Sequence, residues 1–199
     1  MGHGMHIYGC ASRQMKSYEY TTDYTIGELS SHNTIKPFLL SLINIADSVP
    51  LKATDEYYSD DIHRVDWNNN NDWTRNWVTT LLPHINPYLD SYANHKGFKE
   101  WVMHELWFQQ YNTTGKHGWH VHGHNLTGVY YVDMPKNAPK TELILSNGEV
   151  IQPDVKEGDI LIFPSFVVHR APINKSKETK TIVSFNMSFK YPIQQQLPK

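Results

Sequence analysis

Cysteine is almost missing from this sequence: Cys10 is the only one in 199 residues. An internal disulfide is thereby excluded, and a reducing, cytoplasmic compartment is the expectation. Long apolar runs are also missing. None approaches the roughly 20 residues of a membrane span, and Met1-Gly2-His3-Gly4-Met5-His6 lacks the charged-then-apolar order of a signal peptide. Gly2 is not read as a myristoylation site, because His6 stands where that motif takes Ser or Thr. Nor is there an excess of one charge. Net charge is −2 at pH 7, so the sequence gives no electrostatic reason to expect a nucleic-acid partner or an anionic membrane surface. Internal repeats are absent, and the one biased tract is Asn68-Asn69-Asn70-Asn71.

What the chain does have is apolar, aromatic and imidazole side chains. Hydrophobic residues make up 39%, enough for the core of one ordinary domain. Aromatics reach 13%, with six Trp and twelve Tyr, which favours β-structure and an aromatic-lined cavity. Of twelve histidines, His117, His120, His122 and His124 fall within eight residues. Surface histidines scatter, so this crowding calls for a chemical reason.

The first half of the chain carries the helical periodicity. Residues 35–48 place Ile35, Phe38, Leu39, Leu42, Ile43 and Ile45 at helical spacing, with Asn33 or Thr34 as cap and Pro50 beyond the end. Residues 53–71 read as a segment ending in a loop. Asp72 reads as the cap of a second helix bearing Trp73, Trp77, Val78 and Leu81; Pro83 and Pro87 should break or kink it, leaving a further short helix with Ile85, Tyr88, Leu89 and Tyr92. Residues 1–34, with alternating pieces such as Tyr18-Glu19-Tyr20, read as strands and loops.

After Gly97 the pattern becomes strand-like, over 99–111, 119–122, 126–133, 141–145, 149–151, 159–163, 166–170 and 179–190. Asn147-Gly148, between Leu143-Ile144-Leu145 and Val150-Ile151, signals a two-residue hairpin. Many short strands without intervening helices predict an antiparallel barrel or jelly roll. The expected organisation is α+β: a single domain over 1–199, with a mainly helical support region at 1–98 packed on a β core at 99–190.

Within that core, Trp119-His120-Val121-His122 is an H-x-H. On a strand it puts two imidazoles on one side, and His169, on a distant strand, can complete one face of a metal's coordination shell. Three ligands on one face leave positions open for a substrate, oxygen or water. The bland alternative is a pair of polar residues facing solvent on an edge strand. His117 reads as a loop histidine at a pocket mouth, His104 as surface or core, and His124 allows a shifted H-x-H.

The order Tyr111, Gly115, His120-x-His122, then Gly158-Asp159-Ile160-Leu161-Ile162-Phe163-Pro164 and His169, resembles the double-stranded β-helix of the iron(II)/2-oxoglutarate-dependent oxygenases. The resemblance covers roughly residues 99–190 and is closest to prolyl-hydroxylase-like members. Leu126-Thr127-Gly128-Val129-Tyr130-Tyr131-Val132 and Ser184-Phe185-Asn186 look like a phage-type subgroup of short proteins. What the resemblance implies is a dioxygenase, a jelly-roll barrel carrying N-terminal helices, with Fe(II) as cofactor and 2-oxoglutarate as co-substrate. It implies metal ligands His120, His122 and His169, with the nine-residue interval from Tyr111 favouring His120/His122 over the shifted pair. It also implies Lys180 on the far carboxylate of 2-oxoglutarate, helped by Ser184 or Tyr111. Trp119, Asn125, Tyr130 and Asn186 are expected to line the pocket for a small-molecule or peptide substrate.

Two departures from the usual pattern stand out. His122 occupies the place of the customary H-x-D carboxylate, and Lys180, eleven residues after His169, that of the customary arginine. A second reading is a cupin-type metal-binding barrel enzyme, since Pro164 to His169 is similar to the second cupin motif; against it, no glutamate follows the H-x-H within Gly123–Val129. A third is a non-catalytic metal-binding or structural module, which the two departures favour.

Overall fold

A computed structural model describes residues 22–54 and 59–193 of the chain. Cys10 and the Tyr18-Glu19-Tyr20 piece lie outside the described residues. The elements in chain order are β1 (Thr25–Glu28), α1 (His32–Ile45), β2 (Val49–Thr54), β3 (Ser59–Val65), α2 (Asn76–His95), β4 (Phe98–Tyr111), β5 (His117–His120), β6 (Leu126–Asp133), β7 (Glu142–Ile144), β8 (Val150–Ile151), β9 (Asp159–Pro164), β10 (His169–Ala171) and β11 (Lys180–Pro192). A single 3-10 turn, Trp67–Asn69, precedes α2. Among the described residues the protein is thus mostly β with two helices. Among the described residues, no helix is long and apolar enough to cross a membrane.

The strands form two antiparallel sheets. The larger runs β1-β9-β6-β11-β4-β3-β2 and the smaller β5-β10-β7-β8. Side-chain alternation gives the large sheet two different faces. Leu106, Phe108, Tyr130, Val132, Ile160, Ile162, Val183 and Phe185 point to one side and pack under the helices. Trp107, Tyr111, Val129, Tyr131, Leu161, Phe163 and Ile182 point to the other, where Leu143 and Ala171 of the small sheet join them.

The first 98 residues hold β1, within the stretch read as strands and loops, and two strands that the sequence does not suggest. They supply β1, which pairs with β9, and β2 and β3, which extend the large sheet beyond β4. The support region is therefore partly sheet. Its strands are short and polar, as in Ser59-Asp60-Asp61-Ile62-His63-Arg64-Val65, and show little apolar alternation to read.

The second helix also differs from expectation. Pro83 and Pro87 sit inside one continuous helix, and the cap position is Arg75 rather than Asp72. The prolines are four residues apart on the exposed face, where missing backbone donors leave carbonyls open to water. The opposite face, Trp77, Val78, Leu81, Ile85 and Leu89, is buried. Each such side chain contributes about 1.5–3 kcal/mol on burial, which outweighs the loss. The β7–β8 hairpin forms as expected, but the Leu145–Glu149 backbone bonds enclose three residues, with Gly148 at φ +83°. That is a three-residue turn closed by a left-handed glycine, not a two-residue one.

Asp66 ties the helix to the sheet. Its buried carboxylate accepts hydrogen bonds from Arg75 (2.5 Å), the Trp77 indole N–H (2.9 Å) and the Phe108 backbone N–H (2.8 Å). Burial pushes its carboxyl pKa up, and these three donors oppose the shift. Asp66→Ala would strand a buried guanidinium and two N–H groups, and should cost roughly 3–5 kcal/mol, read as a fall in the urea midpoint at unchanged slope.

Candidate metal centre

His120 ends β5, His122 follows two residues later, and His169 opens β10. His169 and His120 are directly paired across the small sheet. One ring nitrogen from each of the three histidines lies within 4.8 Å of the others. Strand alternation alone does not place His122, because β5 stops at His120. The backbone N–H of His122 donates instead to the Ser165 carbonyl at 3.0 Å, and its ring packs 5.6 Å from Trp107 and 6.4 Å from Trp67.

Backbone carbonyls fix the ring orientation of the other two. His120 Nδ1 lies 2.7 Å from the Gly118 oxygen, and His169 Nδ1 2.9 Å from the Val167 oxygen. A carbonyl only accepts, so Nδ1 carries the proton in both and Nε2 keeps its lone pair. That is the tautomer of a ligating histidine.

All three are held neutral. Burial lowers the His122 pKa to about 3, with the neighbouring His120 adding to the effect. Burial also holds His169 well below the ordinary value and lowers His120, against the Gly118 hydrogen bond and the field of Asp60. Ligation requires neutral imidazole, so the lowered pKa values keep the cluster ready to bind at pH values where ordinary histidines begin to protonate.

The large sheet forms the floor of the site. Tyr111, Gln109 and Trp107 of β4 alternate toward the cluster beside Ile182 and Ser184 of β11, with Thr127 and Val129 of β6. Lys180, opposite Tyr111 in the ladder, is 1% exposed. Its ammonium donates to the Pro139 carbonyl at 2.6 Å and lies 5.5 Å from the Tyr131 ring and 5.8 Å from that of Tyr111. Burial lowers its pKa to about 7. The Tyr111 hydroxyl is buried with no hydrogen-bond partner among the described residues. Free space among these groups is small, about 20 Å³, so a ligand must displace side chains rather than fill a void. An unsatisfied phenol and a buried cation held only by a carbonyl fit a carboxylate. Three converging imidazole lone pairs fit a divalent metal.

Other expected residues fall elsewhere. Asn186 lies on the site face and is tied up with Glu105 (2.5 Å) and Thr127 (3.1 Å). Tyr130 is corrected: it points into the core under the helices, bonded to His32 at 2.8 Å, because it alternates with Val129 and Tyr131. Trp119 faces away from His120, under the Arg170 guanidinium at 4.3 Å, and lines a separate groove of about 740 Å³ with Lys116, Lys140 and Lys175. Asn125 is exposed and accepts from the Phe189 N–H. His124 stacks on His104 at 3.9 Å, not on the cluster. His117 is a second correction. It is no loop histidine but packs on the His120 ring at 3.8 Å, because a bulge opposite β10 turns both inward. Gln109, Trp107 and Thr127 also belong to the site; the alternation of β4 and β6 was the signal for them.

Residues 105–186 match the family model described as "Putative 2OG-Fe(II) oxygenase". The family match bears out the resemblance. The matched segment contains all three histidines, Tyr111 and Lys180, and the family uses Fe(II) and 2-oxoglutarate. No curated protein matches the chain. Among solved structures, the fold is similar to a Pseudomonas putida prolyl-4-hydroxylase, at TM-score 0.60 and 11% identity over 83% of this chain and 93% of that one. It is also similar to a Trichoplax adhaerens prolyl hydroxylase in complex with a hypoxia inducible factor peptide fragment, at TM-score 0.60 and 11% identity over 81% and 82%. A third similar structure is the epimerase SnoN from nogalamycin biosynthesis, in complex with Fe3+, alpha ketoglutarate and nogalamycin RO, at TM-score 0.64 and 11% identity over 84% and 79%.

Depressed histidine pKa values have a stability consequence for the metal-free chain. The unfolded histidines protonate near pH 6.5, while His122 resists to about pH 3. In that window the unfolded state binds more protons, so stability is full above pH 6.5 and falls as pH drops. Urea midpoints of the metal-free protein should decline steadily from pH 7 to pH 4. In His122→Gln that slope should be shallower; an equal slope would place the titration elsewhere.

Proposed function

We propose that the protein is an Fe(II)/2-oxoglutarate-dependent dioxygenase with a three-histidine metal site. The two sheets are read as the halves of a double-stranded β-helix. The observation that supports this most is the convergence of three neutral imidazoles above a floor holding Tyr111 and Lys180. His120, His122 and His169 would hold the metal. Bound iron would supply oxygen activation coupled to oxidative decarboxylation of 2-oxoglutarate to succinate.

The chain's own residues bind, orient and exclude water. Lys180 pairs with the far carboxylate of 2-oxoglutarate as a point charge, and the Tyr111 hydroxyl donates to it. Ser184 lies on the same face of β11, beyond Ile182, and lines the site with it. Trp107 and Ile182 keep the floor dry, which strengthens each of these polar contacts. The substrate is a small molecule or peptide approaching the open side of the metal.

The test is anaerobic titration with Fe(II) and 2-oxoglutarate. A visible metal-to-ligand charge-transfer band should appear only when both are present; its absence would remove the oxygenase reading and leave the cupin-type or non-catalytic one. Lys180→Ala should weaken 2-oxoglutarate binding about 30-fold or more, the loss of a buried charge-assisted pair, with Fe(II) affinity retained. Lys180 supplies the pH signature as well. Its pKa is about 7 without ligand, and a carboxylate beside it favours the charged form. Binding between pH 7 and 9 should therefore take up a proton, measured by calorimetry in buffers of differing ionisation enthalpy. The Lys180→Ala protein should show no such uptake.

A further inference from the structure

We propose that Asp60 is a positioning carboxylate for the three-histidine centre, holding Gly118 in place and setting a negative charge beside the cluster. This rests on the reading that the cluster holds a divalent metal. Asp60 lies on β3, outside the segment that matches the family. Its Oδ1 accepts the Gly118 N–H at 2.8 Å, and the carbonyl of the same residue accepts the Nδ1–H of His120 at 2.7 Å. The N–H and the carbonyl of Gly118 belong to successive peptide units, so Asp60 anchors the residue whose carbonyl orients the His120 ring, and its negative charge acts on that ring through space. Asp60 also faces His117, whose Nε2 is 3.8 Å away and whose ring stacks on His120.

Two further observations single it out. The Asp60 side chain is only 11% exposed, yet among the described residues no Lys or Arg pairs with it. A largely buried carboxylate without a cation is costly, and a dication held by the adjacent cluster would be the missing counter-charge. The local backbone is also shaped for this approach. A Cβ on Gly118 would come within 3.2 Å of the Ser59 nitrogen and 3.6 Å of Asp60 Oδ1. Glycine there lets β3 and β5 close up until the carboxylate reaches the peptide.

Asp60→Asn keeps an oxygen acceptor for Gly118 and removes only the charge. Co(II) binding to the full chain should weaken about tenfold or more, in the range for lost outer contacts of metal ligands. Asp60→Glu should stay within about threefold of the parent. The metal-free Asn protein should melt at the parent's temperature or above, because an unpaired buried charge is gone. With iron bound, its Fe(III)/Fe(II) midpoint should rise, since the lost negative charge favoured the ferric ion. Unchanged Co(II) affinity in Asp60→Asn would overturn the proposal. So would an Asn variant that unfolds without metal, which would make Asp60 a purely structural bond. If the parent itself binds no divalent ion, the metal reading falls and this one with it; if the parent binds and the Asn variant binds equally, only this one falls.

Discussion

The long antiparallel ladder between β4 and β11 fixes the rest of the molecule. Its register sets Lys180 against Tyr111, Ser184 against Trp107 and Asn186 against Glu105. From Glu105 to Tyr111 and from Lys180 to Asn186, alternate residues face the histidines and the helices; a bulge beyond Asn186 shifts the parity. A slip of one residue in this stretch would put Phe108 and Val183 into the site and Lys180 under the helices. That error is barred by burial, since this stretch of both strands is covered on both faces. Gly128 adds a steric lock. A Cβ there would sit 2.0 Å from the Phe185 ring, so β6 can lie against β11 only where a glycine meets that phenylalanine.

Charge is the site's second constraint. A divalent metal with three neutral imidazoles carries two positive charges, and a protonated Lys180 would add a third. A dicarboxylate co-substrate removes two of these. With the customary aspartate ligand the sum would be neutral; with His122 it is one unit positive. On the proposed reading, the loaded site would hold a surplus of positive charge in a dry interior, where it is costly. Asp60, bonded to Gly118 and 3.8 Å from His117, would offset it. Without the anion, Lys180 sheds its own charge, since burial lowers its pKa to about 7. Lysine suits such a site better than arginine, because it can discharge on burial.

Legibility from the sequence followed periodicity. The helical stripes of α1 and α2 could be read because burial on one face leaves a pattern, and β4, β6, β9 and β11 because their apolar and aromatic runs are bounded by turn residues. The three histidines could be read because their spacing carries chemistry. β2 and β3 could not: Pro50 inside β2 reads as the end of a helix, and β3 is polar apart from Ile62 and Val65. With them went Asp60, whose role depends on a contact across 58 residues of sequence. Tyr130 was misplaced for the opposite reason: it lies in a strand apolar on both faces, where composition does not tell the sides apart. The inward turn of His117 depends on a bulge, and a bulge shifts parity without any mark in residue type.

His122 shows how the exchange of a carboxylate for an imidazole can be accommodated. Of the three rings it is the one outside a strand, and no backbone carbonyl fixes its Nδ1 among the described contacts. It is held by one main-chain bond to Ser165 and by packing against Trp107 and Trp67, themselves in edge-on contact at 4.4 Å. An imidazole is larger than a carboxylate, so the added volume has to be taken up nearby. At a strand interior it would be taken up by a packed core, which resists overfilling. Here Trp67 is 40% exposed, so one wall of the ring's surroundings borders solvent and can yield. On the proposed reading, the position that departs from the customary ligand set is thus one whose wall can yield at Trp67.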